Sequence, residues 1–490
     1  MIKNLILSLI LLGHASADAL HGTPKSDLKS ALQNFNLFEK QSKEANELLS
    51  FAYDFLSEEK DRSCYDLSLQ ESFQKSCAEM GLTYLGGPML GDVRSDACKV
   101  WVRTLAPAEV SVVIGEKTYG PVKSTQESDL SAIVQVTGLT PSTSYPYKLL
   151  INGEEVATPK EAQITTTSGV MNDGKVRLAF GSCFHRWGIG NTDLTEAIMK
   201  REPAACVFIG DISGQGRTNQ LGMHRFDNLT RDLYVNWQAM VSRLPVYSSW
   251  DDHDYFLNDL AGSPVETRNG KIRYTEEEAQ AVLKVWKQSW NNKSYGLGGK
   301  DSGLFQRLNF GPVDVLMMDT RYHREKGNFL GDMQMEWLKE QLLDCKAPFI
   351  VISGGTMFSD YVSKGKDSWG VYDPEGREEL FQFIEDNNIK GVLLISGDRH
   401  GARGFTIPRE SGFSFYEFGA ASLGGRHGPP VTSPHWTTQL YGIEKQYAFG
   451  EFEIDASLPD PEVTFNLIGD DESIIYSLTL KRSTLTPKSK

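Results

Sequence analysis

Positive charge is scarce in this sequence. Its 50 Lys and Arg stand against 64 Asp and Glu, a formal net charge of -14. A nucleic-acid binder needs clustered cations against the phosphate backbone, so no nucleic acid is expected as a partner. An acidic protein still binds phosphate esters when metal cations supply the local positive charge. Long apolar runs are missing as well. The most nearly uninterrupted one, Leu5 to Leu12, is too short to span a bilayer, so no stable membrane insertion is expected. Cysteine is sparse, with six in 490 residues. Internal repeats and low-complexity tracts are absent. With 40% hydrophobic and 23% charged residues, the composition is that of folded domains, and the length suits two or three of them.

The N-terminus carries a targeting pattern. Lys3, the Leu5 to Leu12 run and the small-residue patterns Ala15-Ser16-Ala17 and Ala17-Asp18-Ala19 read as a secretory signal peptide over residues 1–19. It predicts a secreted or periplasmic protein whose mature chain starts near Asp18 or Leu20. Export permits disulfides. Cys64 and Cys77, close together in a polar region, are the expected bridge; the pairing of the others cannot be read from sequence. Asn228-Leu229-Thr230 and Asn292-Lys293-Ser294 fit the N-glycosylation pattern, which matters only in a eukaryotic source.

Three textures follow one another. Residues 20–85 are polar and free of Pro after the first few, with helical spacing such as Leu28, Leu32 and Phe35. They predict one or two helices packed on something larger. Residues 86–170 hold short alternating segments, including 99–103, 109–114, 131–136 and 145–151, with turns between. That is the pattern of a β-sandwich of fibronectin type III kind. Leu139-Thr140-Pro141 followed by Tyr145 suits a late strand of such a module. From 171 to 482 continuous apolar strands alternate with helical segments, which predicts a parallel or mixed sheet covered on both faces. Strands are expected at 176–180, 204–210, 245–250, 313–318, 349–353 and 391–396. Helices are expected at 191–201, 275–290, 332–343 and 377–387, and four more strands after residue 413.

The chemistry lies just after those strands. The first ends in Gly181-Ser182-Cys183 and the second in Gly210-Asp211. The third runs into Asp251-Asp252-His253-Asp254, then Asn258-Asp259. The fourth ends in Asp319 with Arg321, and the sixth in Gly397-Asp398-Arg399-His400. In α/β sheets, ligands bind outside the carboxyl ends of the strands. Each residue alone has a plain explanation. An Asp after a strand is often a helix N-cap, and a free cysteine is usually a small buried hydrophobe. Their convergence argues otherwise, because burying many carboxylates on one sheet edge without cations is costly. Carboxylate, imidazole and thiolate together suit more than one cation.

These stretches resemble the alkaline phosphatase D (PhoD-like) metallophosphatases, in the calcineurin-like phosphoesterase superfamily. The resemblance rests on Gly87-Pro-Met-Leu-Gly91, Gly181-Ser-Cys183, Trp250-Asp-Asp-His-Asp-Tyr255 with Asn258-Asp259, Asp319-Thr-Arg321 and Ser396-Gly-Asp-Arg-His400. It covers nearly all of the chain after the first helices. It implies an α/β fold: a four-layer αββα metallophosphatase domain preceded by a fibronectin III-like β-sandwich. It also implies that Cys183, Asp211, Asp252, Asp398 and His400 hold metal, with Asp211 bridging two ions. His253 would face the substrate and assist the leaving group. Asn258 and Arg321 would contact phosphate, with Arg321 alternatively holding the carboxylates. The cofactors would be divalent or trivalent metals: Fe, Ca, Mn or Zn. The family's usual metal-binding Tyr, three residues after the Asp of Gly-Asp, is replaced by Gly214. His185 and Arg217 lie nearby and are expected to be structural or solvated.

The activity expected is metal-dependent hydrolysis of small-molecule phosphoric esters outside the cytoplasm. The alternatives are a phospholipase-type phosphodiesterase, or an exported phosphate- or metal-binding protein with impaired catalysis.

Overall fold

The structure, a computed structural model, describes residues 27–169, 174–267, 270–297, 303–360 and 367–487. The expected signal peptide lies outside the described residues. No helix among the described residues is long and apolar enough to cross a membrane.

Four helices come first, at Leu28–Phe35, Lys43–Glu58, Cys64–Ser68 and Glu71–Glu79. Side-chain caps start three of them: Asp27 accepts from the Ser30 N–H, Ser42 from Ala45, and Ser63 forms a reciprocal capping box with Asp66. Along the second helix Leu48, Leu49, Ala52 and Leu56 recur at helical spacing. All four enter one core with Phe226, Leu229 and Trp237. The segment is thus part of the main body. Burying each of those leucines stabilises it by about 1.5–3 kcal/mol.

Next come two antiparallel sheets. One is Tyr84–Gly91, Ala97–Thr104 and Ser131–Thr137; the other is Lys117–Ser124, Ala108–Ile114, Lys148–Ile151 and Glu154–Val156, in those spatial orders. Their alternating residues meet in a common core, with Leu90, Val100 and Val134 from the first and Val110, Val112 and Leu149 from the second. The Tyr145 hydroxyl accepts a 2.9 Å hydrogen bond from the Thr140 N–H and pins the turn before its strand.

Two mixed sheets make up most of the rest. In one, Lys175–Gly181, Ala205–Ile209 and Val246–Ser249 are parallel, and Ala448–Asp455, Glu462–Gly469 and Ile474–Lys481 extend it in antiparallel fashion. In the other, Val313–Met317, Phe349–Ser353, Val392–Ser396 and Ser414–Gly419 run parallel between antiparallel edges. The strand period of two assigns side chains to layers. Leu178, Phe180 and Val207 meet Val315 and Met317 between the sheets. Their neighbours Ala179, Cys206 and Phe208 point outward under helices that include Leu221–Leu233 and Glu276–Ser289. On the far side Leu316, Ile350 and Ile352 pack beneath Asp332–Asp344 and Pro374–Asp386. All the parallel strands present their carboxyl ends to one edge.

Expected and observed boundaries agree within a residue or three for the strands and helices read from sequence. Three readings need correction. The first segment holds four helices rather than one or two, because the chain turns again at Ser63 and Gln70. All six cysteines are free thiols, so Cys64 and Cys77 form no bridge. The Cys64 backbone N–H donates to Asp129 within an ionic cluster, whereas Cys77 packs in the apolar core. Neither glycosylation pattern is accessible. Asn228 lies buried inside a helix, and buried Asn292 donates to the Ser248 carbonyl at 2.7 Å.

Candidate metal centre

The strand ends turn sharply. Cys183, His185, Asp211, Asp398 and His400 all have left-handed backbone, with φ of 57°, 43°, 55°, 67° and 47°. For non-glycine residues each such conformation costs about 1–3 kcal/mol and persists where the surroundings impose it, characteristically at functional sites.

These turns gather two groups of ligand atoms. Cys183, His185 and His400 form one; Asp211, Asp251, Asp252 and Asp398 form the other. Within each group the atoms lie within 4.8 Å of one another. Asp211 Oδ2 connects the groups, 3.2 Å from His185 Nε2 and 3.9 Å from Cys183 Sγ. The His185–Asp211 approach is not aligned as a hydrogen bond. His185 Nε2, His400 Nδ1, Asp211 Oδ1 and Asp251 Oδ2 are all buried without a hydrogen-bond partner. Buried polar atoms are rarely left so. Orphaned imidazole and carboxylate atoms gathered beside a cysteine sulfur fit metal cations. His185 Nδ1, by contrast, lies 3.2 Å from the Gly214 carbonyl, the outer contact that orients a metal-binding imidazole.

Supporting contacts surround this set. The Asp252 carboxylate accepts from the N–H groups of His253 at 2.8 Å and Asp259 at 2.7 Å. Asp254 accepts from Gly214 at 2.7 Å and from Ile212 at 3.3 Å, which ties the Asp211 turn to the Asp252 turn. Asp319 receives the Trp250 indole N–H at 2.7 Å and the Leu304, Arg321 and Tyr322 N–H groups, so it organises backbone and stays out of the ligand set. A third acidic group, Asp252, Asp259 and Asp367, is already compensated, because Arg321 and Arg324 both bind Asp367.

Burial and charge set the proton affinities. Burial, then the nearby Asp252 charge, pushes Asp211 up to about 7, and burial lifts Asp398 to about 6. Burial raises Asp251 well above the carboxylate range and the Cys183 thiol well above its usual value. Burial also opposes ionisation of Asp252, but Arg321 and His253 outweigh it and hold that carboxyl low. His185 and His400 are driven well below the histidine range, by burial first, so both are neutral imidazoles able to ligate. His253 differs. Burial lowers its affinity, yet Asp252, Asp211 and Asp398 raise it above the usual value. Several carboxyls would therefore keep protons near neutrality unless cations displaced them.

A cavity of about 410 Å³ opens on this edge, lined by His185, Trp187, Gln215, His253, Asn258, His400 and Arg426. The Arg426 guanidinium lies 3.7 Å over the Trp187 ring. A larger cleft of about 780 Å³, between the two-sheet unit and the large domain, contains none of the ligand residues.

The structure thus brings together Cys183, Asp211, Asp252, Asp398, His400 and His253, and places Asn258 at the cavity rim. Arg321 is displaced from the expected phosphate contact. It is fully buried, bound through Nε to Asp251 and through Nη2 to Asp367 at 2.7 Å, so it holds carboxylates. His185 was expected to be structural and instead joins the ligand atoms. Its proximity to Cys183 in sequence was the signal available. Asp251 was legible as one of a run of acids but not as the inward one. Arg426 and Trp187 carried no sequence signal. Arg217 pairs with buried Asp227, away from the ligands. Gly214 leaves no empty slot: a Cβ there would sit 2.3 Å from Asp254 Cα.

Comparison with known proteins follows the same lines. Alkaline phosphatase D of Bacillus subtilis (strain 168) is 22% identical over 379 residues, 64% of this chain. The match spans 64% of that relative's own length, just under two thirds. A solved structure of PhoD superposes with a TM-score of 0.66 at 17% identity, over 83% of this chain and 92% of that one. A purple acid phosphatase from yellow lupin (Lupinus luteus) seeds superposes with a TM-score of 0.60 at 14% identity, over 82% and 75%. At those identities what is shared is the fold. Residues 82–169 match a family model described as a domain of unknown function (DUF7800). Residues 178–459, more than half of the chain and the part that carries every ligand residue, match the model described as PhoD-like phosphatase, and the chain belongs to that family.

Proposed function

We propose that this chain is a metal-dependent phosphoric-ester hydrolase acting outside the cytoplasm on small-molecule substrates. One observation carries the reading: orphaned imidazole and carboxylate atoms and the Cys183 sulfur converge from separate strand ends beside a cavity, with Asp211 between the two groups. Exported location rests on the N-terminal pattern of residues 1–19 alone. The domain reading is a helical segment at 20–85, a fibronectin III-like sandwich at 86–170 and a four-layer αββα catalytic domain at 171–482. The paired antiparallel sheets and the sheet-on-sheet layering support it.

Cys183, His185, His400 and Asp211 would hold one cation, and Asp211, Asp251, Asp252 and Asp398 a second. When bound, such cations polarise phosphoryl oxygens and lower the pKa of a water. The chain's own groups do the rest. His253 lines the cavity and is biased toward its protonated form by Asp252, Asp211 and Asp398, so it can donate a proton to the departing ester oxygen. Arg426, stacked on Trp187, is the cation placed to orient the phosphate, the role that buried Arg321 cannot take. Arg321 holds Asp251 in position and keeps Asp252 ionised.

The test is hydrolysis of a panel of phosphate mono- and diesters by purified protein, before and after chelation and with Fe, Zn, Mn or Ca restored. Metal-dependent turnover of at least one ester class is expected. A fully metal-loaded protein inert on every ester would sink the reading and favour a binding protein.

A further inference from the structure

We propose that the cleft between the two-sheet unit and the large domain is a second binding site, for a neutral oligosaccharide, at the edge of the fold opposite the metal centre. Such a site is independent of the hydrolytic one.

Its place follows from the strands. Lys175 opens the strand Lys175–Gly181, and Ala204, Pro245 and Pro312 stand immediately before Ala205–Ile209, Val246–Ser249 and Val313–Met317. All four residues line the cleft. It therefore lies at the amino ends of parallel strands whose carboxyl ends face the metal centre. One strand length, about 20 Å at about 3.3 Å per residue, separates the two edges. At about 780 Å³ the cleft is nearly twice the size of the cavity of about 410 Å³ beside the metal centre. That volume is in the range of small-molecule sites, which favour domain junctions. A further cavity of about 240 Å³ shares Thr167 and Phe310 with it, so the two form one elongated groove.

The walls set the class of ligand. The two-sheet unit contributes the hydroxyls of Ser142, Ser144, Thr165 and Thr167 and the Gln163 amide. Ser144 Oγ and Thr165 Oγ1 stand 2.8 Å apart as an exposed hydroxyl pair on neighbouring strands. The large domain faces them with apolar surface from Val176, Pro203, Leu244 and Pro245. A sugar ring has both complements: C–H groups on its faces, and hydroxyls at its edge that donate and accept.

Charge argues for a neutral ligand. The cations of the walls are already answered by acids: Lys175 by Asp455 at 2.9 Å, Arg177 by Glu453 at 3.3 Å and Arg243 by Glu161 at 2.7 Å. An anion would have to displace those acids, whereas a neutral ligand leaves them in place. Two polar atoms in the walls lack hydrogen-bond partners. Asp92, 8% exposed, has Oδ1 buried and unsatisfied in the smaller cavity, and Arg177 Nε is unsatisfied in the larger one. One accepts and the other donates, and ligand hydroxyls can serve both; leaving such groups unsatisfied is costly.

The experiment screens the full-length protein on an array of neutral and acidic oligosaccharides and titrates the best neutral ligand by calorimetry. Saturable binding with a dissociation constant at or below about 1 mM is expected, with or without chelator. Ser144→Ala combined with Thr165→Val removes the exposed hydroxyl pair and keeps the shape of the groove. It should weaken binding by about 5- to 30-fold. Asp92→Asn, which retains a residue tolerant of the left-handed backbone there (φ 44°), should weaken it similarly. Circular dichroism of both variants should match wild type. A loss of affinity in either folded variant places the ligand in the groove. No neutral glycan retained, a preference for acidic glycans, or wild-type affinity in both variants would each overturn the proposal and leave the hydrolase reading standing.

Discussion

Side chains a few ångströms apart at this centre do different work, and their surroundings separate them. Asp252 is fixed by two backbone N–H groups and held ionised by Arg321 and His253, whereas His253 lines the cavity with its proton affinity raised. A positioned proton donor contributes about 10²- to 10⁴-fold in rate. His253→Ala should lower turnover of alkyl phosphates by that order with metal content unchanged. The loss should shrink for nitrophenyl esters, whose leaving groups depart without a proton. Steady-state kinetics alongside elemental analysis would check this; metal loss in the variant would make His253 a ligand instead. Arg426→Ala should act on binding, raising KM for phosphate esters by about 10- to 150-fold with kcat less affected. That corresponds to the roughly 1.5–3 kcal/mol of a hydrogen bond to a charged group. An unchanged KM would remove Arg426 from the substrate site.

Among the elements, the helices at the start of the chain have a larger part than their polar composition suggests. Leu48, Leu49, Ala52 and Leu56 complete the core under the Leu221–Leu233 helix. Leu49→Ala should therefore destabilise the whole protein by about 2–5 kcal/mol, read as a lower denaturant midpoint of a single transition that includes the catalytic domain. A separate early transition, with the main one unmoved, would show instead an independently folding appendage. The Leu221–Leu233 helix has an unusual interior. Arg225, Asp227, Asn228, Arg231 and Asp232 are all buried in it. Arg231 binds Asp232 and the Ser289 carbonyl, and Arg225 reaches Asp129 from the preceding two-sheet unit. Such a helix reads as a solvated surface in sequence, because partners such as Asp129 and Ser289 lie tens of residues away.

At the scale of the molecule, cations and protons compete for one edge of the fold. Asp211 rises from 3.8 to about 7, Asp254 from 3.8 to about 7 and Asp398 from 3.8 to about 6. Carboxyls whose folded affinity is raised bind more protons folded than unfolded between about pH 4 and pH 7. The stability of the metal-free protein therefore falls as pH climbs through that window. Bound cations displace those protons, so metal affinity rises over the same range. Scanning calorimetry of chelated protein should show Tm declining from pH 4.5 to 7.5, with the metal-loaded form diverging upward most at the alkaline end. Equal Tm profiles for the two forms would mean that these carboxyls hold no metal.

The sequence by itself determined what is local and periodic. Runs such as 349–353 and 392–396 declare buried parallel strands because both faces are covered. The alternation over 131–136 declares a half-buried one. The Asp, His and Cys at strand ends declared a ligand-bearing edge, and most of the candidate ligands were legible there. Only tertiary structure decided which neighbours face inward. Among Asp251, Asp252 and Asp254, the turn after one strand sends two toward the ligand group and keeps the third for backbone. It decided that Arg321 holds carboxylates and that Arg426, far along the chain, reaches the cavity. It placed His185 with the ligands through a left-handed turn. It left Cys64 and Cys77 as thiols, although their short sequence separation favours a bridge. The reason is common to all four. Periodicity records which face of an element is buried, whereas ligation, ion pairing and bridging depend on distances between elements, which are set only when the layers pack.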